Sequence, residues 1–165
     1  MTFPRGYQCY SIGVLLVSML VGCGIVAYRS THTLPTAQLR IGTSAQFTTY
    51  IPLSQAQREK GLAAFKSLDT RHAMLLRFPA ANPPRIWMKD MTFGIDILWL
   101  DAFEKVVHIS RSVSPYDQQT IYSAPHETHA RCVIELTAGA ANARDVQVGD
   151  SVHFVGSNEP VCSPA

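Results

Sequence analysis

The chain lacks a concentration of charge of either sign. Only 16% of its 165 residues are charged, the net charge is +2, and the basic residues are scattered. Domains that bind nucleic acid usually carry a basic patch on one face. The sequence therefore predicts no nucleic-acid partner.

Closely spaced metal-ligating cysteines are also missing, because Cys9, Cys23, Cys132 and Cys162 lie far apart in the sequence. His126 and His129 are close, but two histidines without a third ligand nearby are a weak metal pattern. No serine or cysteine stands in a nucleophile-elbow setting. We expect no metal and no cofactor, and the sequence leaves open whether the protein is an enzyme.

A full membrane span of about 20 apolar residues is not present, but a shorter apolar run covers residues 12–21, after Arg5. This layout is typical of a secretory signal peptide. The residues up to Cys23 resemble a bacterial lipoprotein signal, in which the cysteine thiol takes a diacylglyceryl group. The alternative is an uncleaved membrane anchor that extends to about residue 28. Both alternatives predict an exported domain, tethered to the membrane at the periplasmic face of a bacterial envelope.

The remaining chain divides by composition. Residues 1–22 are the predicted lipoprotein-type signal, and residues 29–45, which are polar and show no sustained period, are a predicted flexible tether. Residues 46–156 are predicted to form one globular β-rich domain. Residues 157–165 form a tail that we expect to fray.

Short alternating or apolar segments predict strands at 46–53, 72–78, 86–91, 95–100, 106–110, 131–136 and 151–155. Ser54 and Gln57 have the spacing of a capping box, which predicts a short helix that ends at Gly61. No alternation of strands and helices is present. The predicted fold class is α+β, mainly β: a compact, partly closed, barrel-like sheet, antiparallel or mixed, of six to seven short strands with one or two short helices.

The predicted strand 95–100 is apolar on both faces except for Asp96. Alternation places Ile95, Ile97 and Trp99 on one face, and Asp96 with its apolar neighbours on the other. A carboxylate in such a strand must be paired, hydrogen-bonded or protonated. Asp96 is therefore either a structural anchor or part of a site.

Several short motifs occur in a characteristic order: Arg58…Gly61-Leu62, Met74-Leu75, Trp87-Met88-Lys89-Asp90, Ile95-Asp96-Ile97, Ser114-Pro115, Val133-Ile134-Glu135-Leu136, Ala138-Gly139 and Gly149-Asp150. In this order the chain resembles the domain of unknown function 192 family from about Phe47 to Phe154. The resemblance implies a compact β-rich fold and no established activity. The chain departs from the family pattern at residues 63–66, at Ala73 and at residues 90–92, so a family site that used an arginine or asparagine there would be altered.

Polar and aromatic residues on neighbouring predicted strands form the candidate site. Lys89 with Asp90 or Asp96 predicts either a charged pair that lines a cleft or a structural salt bridge. Trp87 is the better candidate for ligand stacking, and core packing is the alternative for both tryptophans. The predicted ligand-binding residues are Trp87, Lys89, Asp90, Asp96, His129, Arg131 and Glu135.

Cys132 has three interpretations. It lies on an apolar face and suits an inert core thiol. A disulfide with Cys162 is an alternative outside the cytoplasm and requires the tail to fold back. The third interpretation is a catalytic pair with His129.

The function that these patterns favour is a binding or accessory module of the cell envelope, with a small molecule, a peptide or a glycan as its ligand. The alternative is an envelope hydrolase or transferase that uses Lys89, Asp96, Glu135 or His129 for acid–base chemistry. A scaffold domain without a site is a third hypothesis. A monomer is favoured.

Overall fold

A curled, seven-stranded sheet organises the structure, a computed structural model that describes residues 34–79 and 83–162. The sheet order is β6-β5-β8-β3-β2-β1-β9, and β4 and β7 form a separate two-stranded sheet. The strands are β1 Thr36–Ile41, β2 Ala45–Tyr50, β3 His72–Arg77, β4 Ile86–Trp87, β5 Ile95–Leu100, β6 Val106–Val113, β7 Ile121–Tyr122, β8 Cys132–Thr137 and β9 Val152–Phe154. The helices are α1 Gln55–Lys60 and α2 Ala140–Ala143, with 3₁₀ turns at Gly61–Ala64 and His126–Thr128.

The main sheet is mixed and nearly closes on itself. Its strand pairs are antiparallel except β2 with β3, which are parallel because the connection through α1 returns the chain to the same end. At one end the outer strands meet: the Val106 amide donates to Asp150 at 2.9 Å, and the Val152 amide donates to Glu104 at 2.8 Å. The predicted class, a mainly β, partly closed barrel with two short helices, is confirmed.

The sheet separates two apolar cores, and strand alternation decides which core each side chain joins. Leu98 and Leu100 of β5 lie in the core inside the curl, whereas Ile97 and Trp99 lie in a second core on the outer face. The outer core is covered by the 3₁₀ turn after α1, by β4 and by the loop around Met88. The predicted division of β5 into these two faces is confirmed.

Helix α1 has the predicted bounds because its ends carry strong local signals. Ser54 accepts a hydrogen bond from the Gln57 amide at 3.2 Å, and Gln57 Oε1 accepts from the Ser54 amide at 3.1 Å. This reciprocal pair is the predicted capping box. Gly61 follows with φ of 49°, a left-handed value that glycine adopts most readily.

Two predicted boundaries are corrected by the structure. Residues 36–41, predicted as part of the tether, form β1, which pairs with β2 along its whole length and buries Leu39 and Ile41. The predicted strand 86–91 ends at Trp87, because Asp90 has a φ of 61° and turns the chain. Strand β7 was not predicted.

The tail is held in place as far as Cys162, contrary to the expectation that it frays. Cys162 forms a disulfide with Cys132 of β8. Arg77 Nε donates to the Val161 carbonyl at 2.9 Å, and the Val161 amide donates to the Glu104 carboxylate. The disulfide is therefore the correct interpretation of Cys132, which has no free thiol for a catalytic pair with His129.

The predicted signal or anchor, Cys23 and the first part of the tether lie outside the described residues. Within residues 34–79 and 83–162, no helix has the length and apolar character that crossing a bilayer requires.

Loss of the disulfide should destabilise the fold. The bond closes a loop over a sequence separation of 30 residues, for which loop entropy predicts a contribution of about 3.6 kcal/mol. We expect Cys162→Ser to lower the free energy of unfolding in urea by about this amount. Reductant should do the same to the wild type and leave Cys162→Ser unchanged. Equal stability of the oxidised and reduced wild type would contradict the assignment.

Candidate functional site

A pocket of about 510 Å³ opens on the outer face of the sheet, between helix α1 and strand β4. Its walls come from α1 with its 3₁₀ turn, the end of β3, β4 with the turn that follows, and β7, and its floor includes Ile95 of β5 and Glu135 of β8. Most of the wall is apolar. The apolar lining residues are Leu62, Ala63, Leu76, Phe78, Pro79, Ile86, Trp87, Met91, Ile95 and Ile121.

The carboxyl group of Glu135 lies at the sheet side of this pocket. Glu135 is on β8, and its register neighbours, Met74 on β3 and Ile97 on β5, are fully buried apolar residues. The residue is only 5% exposed, and its Oε2 has no hydrogen-bond partner among the described residues. Burial raises the pKa of Glu135 from 4.5 to about 8. The group is therefore mostly protonated at neutral pH.

The end of helix α1 lies over this carboxyl. A Cβ added at Gly61 would come within 3.8 Å of Glu135 Oε2. The absence of a side chain at Gly61 thus leaves space beside the acid, and the left-handed φ of 49° further favours glycine there.

Four basic side chains line the same pocket: Arg58, Lys60, Arg85 and Lys89. The Lys89 ammonium lies 5.1 Å from the centre of the Trp87 ring, which is a cation–π distance. In the part of the chain that the structure describes, the ion pairs all involve Asp69, so none of these four cations has an acidic partner. The pocket is therefore electropositive at its rim and protonated at its base.

The two tryptophans have different roles. Trp87 is 51% exposed and lies opposite Ile121 in the β4–β7 pair, so its ring faces the pocket mouth. Trp99 is fully buried in the outer core, where its indole nitrogen donates to Ser110 at 3.3 Å.

Asp96 is not part of the pocket, which corrects the predicted pairing with Lys89. It lies on the inner face of β5, whereas the pocket is on the outer face. Its carboxylate accepts from the Ser112 amide at 2.7 Å and from the Ala141 amide at 2.9 Å. Asp96 is thus a structural anchor that joins β5 to β6 and α2.

The other predicted residues are divided between two neighbouring surfaces. Asp90 lines a second cavity of about 590 Å³ next to the pocket. The two cavities share a wall, which consists of Glu59, Lys60, Ala63, Trp87 and Lys89. His129 and Arg131 line a separate depression of about 200 Å³ together with His126. Among residues 34–79 and 83–162, no three histidine, cysteine or acidic side chains are grouped as metal ligands.

Sequence reasoning missed the contributions of Arg58 and Arg85. Arg58 lies on a short helix, where a basic residue is typically solvated, but it is half-buried in the pocket wall. Its position three residues before Gly61, in the first of the ordered motifs, was the available signal. Arg85 had no such signal, because it belongs to none of these motifs.

The fold and the pocket define a small, mainly β domain with one buried acid beneath a basic rim. The chain belongs to the domain of unknown function 192 family (DUF192), described as "Uncharacterized ACR", whose model matches residues 37–154. No functionally curated protein matches the chain.

Two solved structures have a similar fold. A candidate transcription regulator from Sinorhizobium meliloti 1021 has a TM-score of 0.67 and 22% identity, over 78% of this chain and 100% of that chain. A protein of unknown function from Novosphingobium aromaticivorans DSM 12444 has a TM-score of 0.66 and 22% identity, over 76% of this chain and 89% of that chain. At this identity the likeness supports the fold alone.

The raised pKa of Glu135 predicts a specific pH dependence of stability. Because the folded pKa of about 8 lies above the ordinary value of 4.5, the contribution of the protonated acid is complete below pH 4.5 and is lost as the pH rises towards 8. Relative to Glu135→Gln, the wild type should lose about 1.4 kcal/mol of unfolding free energy per pH unit in this window. Urea unfolding at several pH values measures the difference.

Glu59→Gln is the matched control, since it removes an exposed carboxylate from the same pocket lining. Its unfolding free energy should follow that of the wild type at every pH. Parallel curves for the wild type and Glu135→Gln would contradict the raised pKa.

Proposed function

We propose that this domain is a binding module whose ligand is a small molecule with an apolar body, held in the Glu135 pocket. The observation that carries the proposal is the unpartnered Oε2 of Glu135 at the base of the pocket. Buried polar atoms in native proteins almost always have a hydrogen-bond partner, and exceptions often mark sites where a ligand completes the bonding.

The size and lining of the pocket favour a small molecule over the two other ligand classes. A volume of about 510 Å³ falls in the usual range for small-molecule pockets, about 300–1,000 Å³. The mainly apolar wall suits an apolar body better than a glycan, which needs many polar partners. A peptide added to a sheet edge would not use this pocket, because the pocket lies on a sheet face.

Glu135 is suited to bind a neutral polar group. In its protonated form the carboxyl donates one hydrogen bond and can accept others. A ligand carbonyl or hydroxyl would form a hydrogen bond with the carboxyl group where it lines the pocket, and leaving such a buried group unpaired costs about 1–3 kcal/mol. This free-energy cost would favour ligands that carry a polar atom at the end that lies next to Glu135.

An acid–base enzyme of the hydrolase or transferase class is the second candidate. The pKa of Glu135, raised to about 8 by burial, suits a proton donor at neutral pH. Lys89 lines the same pocket, whereas Asp96 and His129 do not. The mass of a bound ligand, recovered after long incubation, separates the two candidates. An unchanged ligand mass supports binding alone. Conversion of the ligand by the wild type, but not by Glu135→Gln, supports the enzyme.

The proposed location is the periplasmic face of a bacterial envelope, where an N-terminal tether holds the domain. The signal-like residues 1–22 support it, as does the Cys132–Cys162 disulfide, because such bonds persist in oxidising compartments. Mass spectrometry of the mature protein should find Cys23 as the first residue, with an added lipid mass. An unprocessed chain would contradict lipidation and support the anchor.

Ala63→Phe should block ligand binding. Ala63 lines the pocket, whereas Ala64, in the same 3₁₀ turn, is exposed and does not. The probe is N-phenyl-1-naphthylamine, a neutral apolar dye whose fluorescence rises on binding. We expect Ala63→Phe to weaken dye affinity by at least about tenfold, because its ring fills the cavity, and Ala64→Phe to leave it unchanged. Equal affinities for the three proteins would contradict binding in this pocket.

A further inference from the structure

We infer that the ligand of this pocket carries an anionic group, a carboxylate, sulfonate or phosphate, which is bound at the pocket mouth by Arg85 and Lys89 with help from Arg58 and Lys60. The inference rests on the proposed function and specifies the chemical class of its ligand. The ligand would therefore be an amphiphile, with an apolar body in the cavity and its charge at the rim.

The charge at the rim is unbalanced. Four basic side chains line the pocket, and none of them has an acidic partner in the described part of the chain. The whole protein has a net charge of only +2, whereas four basic residues and one exposed acid, Glu59, line this opening. A cleft of one sign with apolar walls focuses the electric field and attracts ligands of the opposite sign.

The nearby acids offset only part of this charge. Glu135 is mostly protonated at neutral pH because burial raises its pKa to about 8. Glu59 is the one other acid in the lining, so the four basic residues exceed it by three. Asp90 lines the adjacent cavity and not the pocket itself.

The geometry also fixes the orientation of the ligand. An anion at the base of the pocket would lie among apolar lining residues, such as Leu62, Leu76 and Ile95, and would lose its hydration. At the mouth, Arg85 and Lys89 are exposed, and Arg58 is half-buried in the wall. A guanidinium can hold a carboxylate or phosphate with two parallel hydrogen bonds. The anion therefore binds at the rim.

Lys89 and Trp87 form one unit at the mouth. The ammonium lies 5.1 Å from the indole ring centre, so the ring fixes the cation beside the opening. The half-exposed Trp87 ring offers an apolar surface where the ligand body leaves the cavity. A cationic or neutral ligand would gain the contact with the Trp87 ring but no ion pair with Lys89.

Two dyes with the same ring skeleton test the inference. 1-Anilinonaphthalene-8-sulfonate carries a sulfonate that N-phenyl-1-naphthylamine lacks. In low salt at neutral pH, we expect the sulfonate dye to bind the full-length protein at least about tenfold more tightly. Added salt should weaken its binding and leave that of the neutral dye unchanged, because salt screens exposed charges.

Charge variants locate the effect. Arg85→Gln and Lys89→Gln should each weaken the sulfonate dye by about three- to tenfold and leave the neutral dye unchanged. Lys105→Gln is the matched control, because it removes an exposed lysine that does not line the pocket. Ala63→Phe should weaken both dyes, which places the bound molecules at the 3₁₀ turn after α1, where Ala63 lines the pocket and the adjacent cavity.

The outcomes separate the two proposals. Equal affinities for the two dyes, both lost in Ala63→Phe, would overturn the anionic ligand and leave the binding module intact. The sulfonate dye could also bind more tightly but be weakened equally by Lys105→Gln and Lys89→Gln. This result would show that the dye is attracted to the protein surface in general, and it would also overturn the inference. Absence of binding by either dye would overturn both proposals.

Discussion

The alternation of strand β8 is the constraint on which the site depends. This strand lies between β3 and β5, so both of its faces are covered and any acid on it is buried. Glu135 points to the outer face, where its cross-strand neighbours are apolar and offer no hydrogen bond. An unpaired buried carboxyl costs free energy. Its position under a pocket is the feature that the proposed binding role uses, whereas Asp96 has the hydrogen bonds of a structural anchor.

The comparison of Glu135 with Asp96 separates a site from an anchor. Both are almost fully buried, and they lie on neighbouring strands of the same sheet. Asp96 faces inward and accepts hydrogen bonds from the Ser112 and Ala141 amides, so its bonding is completed within the fold. Glu135 faces outward, and its Oε2 has no such partner in the described chain. Hydrogen bonding, and not burial, distinguishes the two acids.

Local patterns predicted much of the fold but little of the site. The capping box at Ser54 fixed helix α1, and alternation fixed the two faces of β5, because these signals depend only on neighbouring residues. Strand β1 was missed because only Leu39 and Ile41 are buried in a polar segment. The predicted pairing of Lys89 with Asp96 was wrong. Periodicity divides β5 into two faces but does not reveal which face the loop before β5, which carries Lys89, will cover.

The pocket itself depends on contacts between distant parts of the chain. Glu135 was a candidate from its strand position, but its partner surface comes from α1 and from the segment that ends in the turn at Asp90 and places Lys89 at the opening. No local sequence rule predicts that these segments meet over β8. Arg58 shows the same limit, because a basic residue on a short helix is typically solvated and here lines a cavity wall.

The most direct test is a carbon-13 NMR titration of the Glu135 side-chain carboxyl in the ligand-free protein, assigned by its disappearance in Glu135→Gln. A midpoint near 8, where burial places the pKa of this group, is the predicted result. A midpoint near the ordinary value of 4.5 would mean that water or a charged partner reaches the carboxyl, and the account of a dry, protonated base beneath a basic rim would then be wrong.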